Sequence, residues 1–323
     1  MKFKNFCLVI TDRCTAACDF CGFSCGPDRC QVMDVNLMTR LIHEAKAMGM
    51  ETVSFSGGEP FLYPELLAEG ARVAREEKLG INIATNGFWG AWDDDKIKEA
   101  LEKIKPDAID FSYDFFHRKF VPEDSIKRAI SASLSLDIEP SLYIADMKGE
   151  YSAGRFIQSM DKEKYAIRIN IYPLFRCGRA LNMPKEWFLT SNAATKENLG
   201  CLYANLLSVL YNGDVYPCCR HEVFESAMKM GNVQDKSLGA VLEASDVPMI
   251  CDVLMQNERF RSLLERAKEM GLEISDEAGC SCDYCRMLFG TEERKQKMLP
   301  HVEALYGEMM VRSLMKGVQK NVP

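Results

Sequence analysis

The chain has 323 residues, 47% hydrophobic and 27% charged, the balance of a globular protein with room for one wide α/β domain or two ordinary ones. A formal net charge of -7 gives no basic footprint, which argues against duplex binding and predicts no nucleic-acid partner. No apolar run is long enough to span a membrane and the N-terminal apolar run is too short for a signal peptide, so a cytoplasmic protein with no membrane partner is expected.

In that compartment the 14 cysteines read as metal ligands and reactive thiols rather than disulfides. Residues 6–11 predict a first strand, and Cys14, Cys18 and Cys21 follow its end at C-x3-C-x2-C spacing, with Phe20 before the last. Iron–sulfur clusters held by thiolates normally use four cysteines, so three suggest a cubane with one iron left open. A zinc knuckle completed by Cys25 or Cys30 is the competing reading.

Apolar spacing predicts a helix over 35–48, then a strand over 52–56 that ends in Gly57-Gly58-Glu59-Pro60. Further helices are expected over 63–77, 93–103, 123–136 and 154–160. They alternate with strands over 81–85, 108–112, 141–145 and 166–172. Six β/α units predict a parallel sheet with right-handed crossovers, an open partial (β/α)6 TIM-like barrel of the α/β class. Its polar motifs lie just past strand ends, where such folds place ligands. The paired glycines of Gly57-Gly58-Glu59 let a backbone approach a ligand closely, and the carboxylate suits an ammonium. Asn86 follows the third strand, and Ser112 and Asp114 follow the fourth. His117 reads equally as a surface or a pocket residue.

Past residue 173 the alternation stops, and a boundary is expected near residue 182. It divides the partial barrel (1–182) from a smaller α+β unit (183–323). Residues 206–211 and 214–216 around Asn212-Gly213 predict a β-hairpin, followed from 237 by charged helices. Cys201 and Cys218 flank the hairpin, and Cys280, Cys282 and Cys285 lie downstream. Four of these thiols close either an iron–sulfur cluster or a four-cysteine zinc ribbon. Cys201, Cys218, Cys282 and Cys285 are the expected ligands, with Cys280 the rival for the third position. That leaves Cys219 spare, and strand alternation predicts that it faces away from the cluster.

The C-x3-C-x2-C loop with Phe20 and the Gly57-Gly58-Glu59 turn one unit later resemble the signature of the radical S-adenosylmethionine (SAM) superfamily. The resemblance implies that SAM occupies the open iron of a [4Fe-4S] cluster. It also places the amino group of SAM at the Gly-Gly-Glu motif, and Asn86, Ser112 and Asp114 near its ribose and carboxylate. C-x11-G-x4-C followed by Gly231-Asn232-Val233 resembles the SPASM/Twitch extension of radical SAM maturases, and the single C-x2-C fits the form with one auxiliary [4Fe-4S] cluster.

Longer runs are similar to the radical SAM peptide epimerases that act on epipeptide precursors. They are Cys21-Gly-Phe-Ser-Cys25-Gly-Pro27, Thr85-Asn-Gly-Phe-Trp-Gly90, Ser112-Tyr-Asp-Phe-Phe-His117, Gly213-Asp-Val-Tyr-Pro-Cys-Cys219, Phe224-Glu-Ser-Ala-Met228 and Cys285-Arg-Met-Leu-Phe289. In that family the second cysteine of the pair, here Cys219, is the hydrogen donor. One departure is that the family has an aspartate a few residues after the first auxiliary cysteine, where this chain has Ala204, Asn205 and Leu206.

The resemblance implies an enzyme that converts L- to D-residues in a ribosomally made precursor peptide. A 5′-deoxyadenosyl radical would take the α-hydrogen and Cys219 would return one from the opposite face. An external electron donor of the flavodoxin or ferredoxin type is the expected second partner. The chain starts directly at its first strand, so leader recognition is expected on the barrel rim, the C-terminal helices or a separate protein. Alternatives are thioether or carbon–carbon cross-linking of a peptide, dehydrogenation of a small alcohol, and a non-catalytic iron–sulfur or zinc module that senses redox state.

Overall fold

The computed structural model describes residues 3–160, 167–174, 176–189, 199–201, 204–224, 226–275, 278 and 280–320. The expected start of the sixth strand at residue 166, and residue 225 within the run 224–228, lie outside the described residues.

Six parallel strands alternate with five helices as the periodicity predicts. The strands are β1 (Asn5–Val9), β2 (Thr52–Ser56), β3 (Gly80–Thr85), β4 (Ala108–Ser112), β5 (Glu139–Asp146) and β6 (Arg168–Pro173). Between them run α1 (Val35–Ala47), α2 (Pro64–Glu76), α3 (Asp94–Ile104), α4 (Glu123–Ser135) and α5 (Ala153–Ser159). The Asp34 side chain accepts from the backbone N–H groups of Asn36 and Leu37 and so starts α1, while α2 starts at Pro64, whose missing N–H is not needed there. Leu37, Met38, Leu41, Ile42 and Ala45 then form the buried face of α1.

The two faces of the sheet differ in chemistry. Phe6, Val53, Ile81, Ile109, Leu142 and Leu207 are buried on the face beneath the helices. Register places Cys7, Ser54, Asn82, Asp110, Ser141, Asn170 and Ser208 on the opposite face. Parallel strands covered by helices on both faces are apolar on both. A polar face therefore means the inside of a cleft. Asp110 organises its floor by accepting from Asn82 Nδ2 and Ser141 Oγ.

The C-terminal part departs from expectation in one respect. β7 (Leu206–Leu210) and β8 (Asp214–Tyr216) form the expected antiparallel hairpin, and β9 (Gly231–Asn232) adds to β8. However, β7 also pairs in parallel with β1, from Asn5↔Leu206 to Val9↔Leu210. The sheet order is β6-β5-β4-β3-β2-β1-β7-β8-β9, so one sheet runs across the boundary expected near residue 182. Helices α6 (Leu238–Glu243), α7 (Val247–Leu254), α8 (Asn257–Glu269), α9 (Ser281–Phe289) and α10 (Glu292–Lys320) complete the chain. No helix among the described residues is long and apolar enough to cross a membrane.

Candidate active site

The cysteine loop leaves β1 and is stapled to its neighbours by backbone. Gly58 N–H donates to Thr11 O at 2.8 Å and Glu59 N–H to Arg13 O at 2.8 Å, which ties the Gly-Gly-Glu turn after β2 to the entry of the loop. A Cβ on Gly58 would stand 2.1 Å from Arg13 O and 2.5 Å from Arg13 C, backbone that leads straight into Cys14. Gly58→Ala is therefore expected to displace the loop and weaken SAM binding by about fivefold to a hundredfold, as overpacking costs of about 1–3 kcal/mol imply. Equilibrium dialysis of the reconstituted protein measures it.

Cys14, Cys18, Cys21, Phe20, Gly57, Gly58, Asn86, Ser112 and His117 all line one cleft of about 680 Å³. Two expected residues stand behind it. Glu59 is fully buried, and its carboxylate accepts from Phe61 N–H (3.0 Å), Thr85 Oγ1–H (2.8 Å) and Asn86 N–H (2.8 Å). Burial pushes its pKa up to about 7, with these three donors opposing. Asp114 Oδ1 accepts from the backbone of Phe116 and His117 and lies 2.9 Å from His117 Nδ1. The structure thus makes His117 the pocket-facing member of that pair, edge-on to Phe20 at 5.4 Å. Asn86 Nδ2 donates to Thr15 Oγ1 at 3.0 Å and lies 3.6 Å from Cys14 Sγ, so Asn86 seats the loop as well as facing the cleft.

The loop thiols are electrostatically unequal. Burial pushes Cys14 up to about 12, whereas the hydrogen bond from Cys25 holds Cys21 down to about 6. Cys25 is buried beside Cys21, and Cys30 is exposed.

Contacts between segments far apart in sequence close the site from the C-terminal side. Gly178 takes φ +52, and a Cβ there would lie 2.4 Å from Gly22 O. Arg179 Nε donates to Cys18 O at 2.8 Å, and Arg179 N–H to Cys21 O at 3.1 Å. The His221 ring packs on Phe23 at 4.4 Å, and Phe224 stacks on the same ring at 4.7 Å. The segment just after Cys219 is thereby fastened to the loop just after Cys21, across about two hundred residues of sequence.

A second cleft of about 890 Å³ is lined by Cys201, Cys218, Cys280, Cys282 and Cys285 together with Glu222 and Arg220. All four expected ligands meet here, with Cys280 beside them. Cys219 does not line this cleft. Electrostatically it is coupled to Arg220, to Cys282 and to Cys7 on the polar face of β1. Cys218 and Cys219 lie in bends past the end of β8 at Tyr216, so the turn rather than strand alternation sends them different ways. Burial keeps the Cys219 thiol protonated by raising its pKa. Tyr172 lines both clefts and forms the wall between them. Ala204 and Asn205, where the resembled family has its aspartate, sit at the opposite end of β7, and Asn205 O accepts from Lys4 N–H at 3.0 Å.

Residues 8–138 match the model of the Radical SAM superfamily, and residues 201–286 match the SPASM iron–sulfur cluster-binding domain. The protein of Bacillus subtilis (strain 168) named "Putative peptide biosynthesis protein YydG" is 27% identical over 319 residues, 95% of this chain and 99% of that protein. PqqA peptide cyclase of Gluconobacter oxydans (strain 621H) is 33% identical over 105 residues, 32% of this chain and 28% of that protein. The structure of native anSMEcpe with bound AdoMet and Cp18Cys peptide superposes with a TM-score of 0.54 at 13% identity, over 94% of this chain and 99% of that one. The donor sets fit these cofactors: three loop thiols beside a glycine cradle, and a separate cluster of thiols in the second cleft. The chain thus carries a radical SAM domain followed by a SPASM-type iron–sulfur domain, whose cofactors are SAM with a [4Fe-4S] cluster and an auxiliary cluster.

Proposed function

We propose that the protein epimerises residues of a ribosomally made precursor peptide, converting L to D. Cys14, Cys18 and Cys21 hold the first cluster, with SAM on its open iron against Gly57, Gly58, Asn86 and Ser112. Cys201, Cys218, Cys282 and Cys285 hold the auxiliary cluster. The division near residue 182 then separates the two ligand sets, although one sheet serves both. Bound SAM and the reduced first cluster together supply a carbon radical able to remove a hydrogen atom.

The chain's own residues decide the outcome. The polar face of the sheet and Tyr172 bound the space in which the peptide lies. After the Cα–H bond of an L-residue is broken, the S–H bond of Cys219 breaks and a Cα–H bond forms on the opposite face. One electron and one proton then restore the thiol, the electron from a donor of the flavodoxin or ferredoxin type. The observation that carries this reading is the placement of Cys219, directly after an auxiliary ligand in the chain yet outside the auxiliary cleft. Kinship with YydG and with PqqA peptide cyclase supports a peptide substrate.

The test is product analysis with reduced, reconstituted protein, SAM and a precursor peptide. Epimerisation yields a D-residue on chiral analysis and leaves the peptide mass unchanged. A peptide lighter by two hydrogens supports cross-linking, the reaction class suggested by likeness to a peptide cyclase. Absence of SAM cleavage under dithionite overturns the enzymatic reading altogether.

A further inference from the structure

Six candidate donors crowd the auxiliary cleft, although a cubane needs four. Glu222, Cys280 and Cys282 have ligand atoms all within 4.8 Å of one another, and they form the one set of three or more so placed among the described residues. Ligands on a single tetrahedral ion, with bonds of about 2.3 Å, stand about 3.8 Å apart. Thiolates on different irons of one cluster must stand further apart, because the irons themselves are separated. The close trio therefore shares one corner, and Cys201, Cys218 and Cys285 supply the other three.

Within the trio the donors differ in readiness. Cys280 is engaged as the N-cap of α9: its Sγ accepts from Cys282 N–H at 3.2 Å, and its own N–H meets Asp283 Oδ2 at 3.3 Å. Glu222 is 6% exposed, and neither carboxylate oxygen has a hydrogen-bond partner. Arg220 Nε approaches Oε2 at 3.9 Å, within ion-pair range but too far for a hydrogen bond. A buried carboxylate beside several thiols is costly unless a cation joins them, and a bound metal is the largest local charge such a site can hold.

The geometry points to Glu222 as the alternate ligand of the fourth auxiliary iron, sharing that corner with Cys282. The corner is then exchangeable between sulfur and oxygen ligation, while the other three are fixed. This inference rests on the auxiliary ligand assignment and not on the epimerase reading, and its readout is iron rather than product.

The experiment uses full-length protein carrying Cys14→Ala, Cys18→Ala and Cys21→Ala, so that iron and EPR signals report the auxiliary site alone. In that background Cys282→Ala is expected to retain about four irons per chain with a changed EPR spectrum of the reduced cluster. Adding Glu222→Gln to Cys282→Ala is expected to lose one iron and give a three-iron signal in the oxidised state. Cys285→Ala is expected to lose the cluster outright, and Glu222→Gln alone to keep it. Circular dichroism checks that each variant is folded, and Cys282→Ser provides a milder second variant with the same expected iron retention. The proposal is overturned if Cys282→Ala already loses the fourth iron. It is equally overturned if Cys282→Ala with Glu222→Gln keeps all four, which assigns the reserve role to Cys280, or if Glu222→Gln alone loses iron.

Discussion

Cys219→Ala is expected to keep cleaving SAM and to keep removing the α-hydrogen, yet to lose D-residue formation by at least about a thousandfold. Such a loss corresponds to about 4 kcal/mol in the barrier of the return step. The first cluster site is untouched by the change, because Cys219 lines neither cleft and makes none of the loop contacts described above. The His221 and Phe224 rings that fasten this segment to Phe23 are also retained. Chromatography of 5′-deoxyadenosine reports cleavage, and chiral analysis of the hydrolysed peptide reports the return step. Persistence of the D-residue at the wild-type rate removes Cys219 from the reaction.

Cys18→Ala is expected to reduce SAM cleavage to background, a loss of at least about a thousandfold, and to lower the iron content by one cluster. Cys18 lies at the centre of the loop, with its carbonyl accepting from Cys21 N–H at 3.1 Å and from Arg179 Nε at 2.8 Å. Cys25→Ala is the informative contrast. Cys25 is buried in the same cluster of side chains and hydrogen-bonds Cys21, so proximity alone would make it a ligand. The C-x3-C-x2-C spacing assigns it a supporting role instead, and the variant is expected to keep its iron and much of its cleavage activity. Iron analysis of the two variants side by side decides between these roles.

The β/α alternation was legible because each strand carries apolar residues toward the helices and each helix repeats them at helical spacing, as in Leu37, Leu41 and Ala45. The predicted elements fall within one or two residues of those observed. The hairpin was equally legible from Asn212-Gly213, a local turn signal. Its parallel pairing with β1 was not, since Phe6↔Leu207 joins residues two hundred positions apart and no local pattern encodes such a partner. The same holds for Gly178 and Arg179 on the cysteine loop, and for Glu222, whose burial comes from α9 and the thiols around it. Glu59 and Asp114 show a different limit. Their position after a strand end predicts presence at the site, but only hydrogen bonds reveal that they brace Asn86 and His117 from behind.

The central claim is that hydrogen leaves Cα to one agent and returns from a thiol. The reaction run in deuterated water tests it most directly, because a thiol exchanges its proton with solvent. The account predicts a product peptide with one deuterium at the α-carbon of each new D-residue and a mass higher by that deuterium alone. An unlabelled D-residue, or a peptide lighter by two hydrogens, contradicts it.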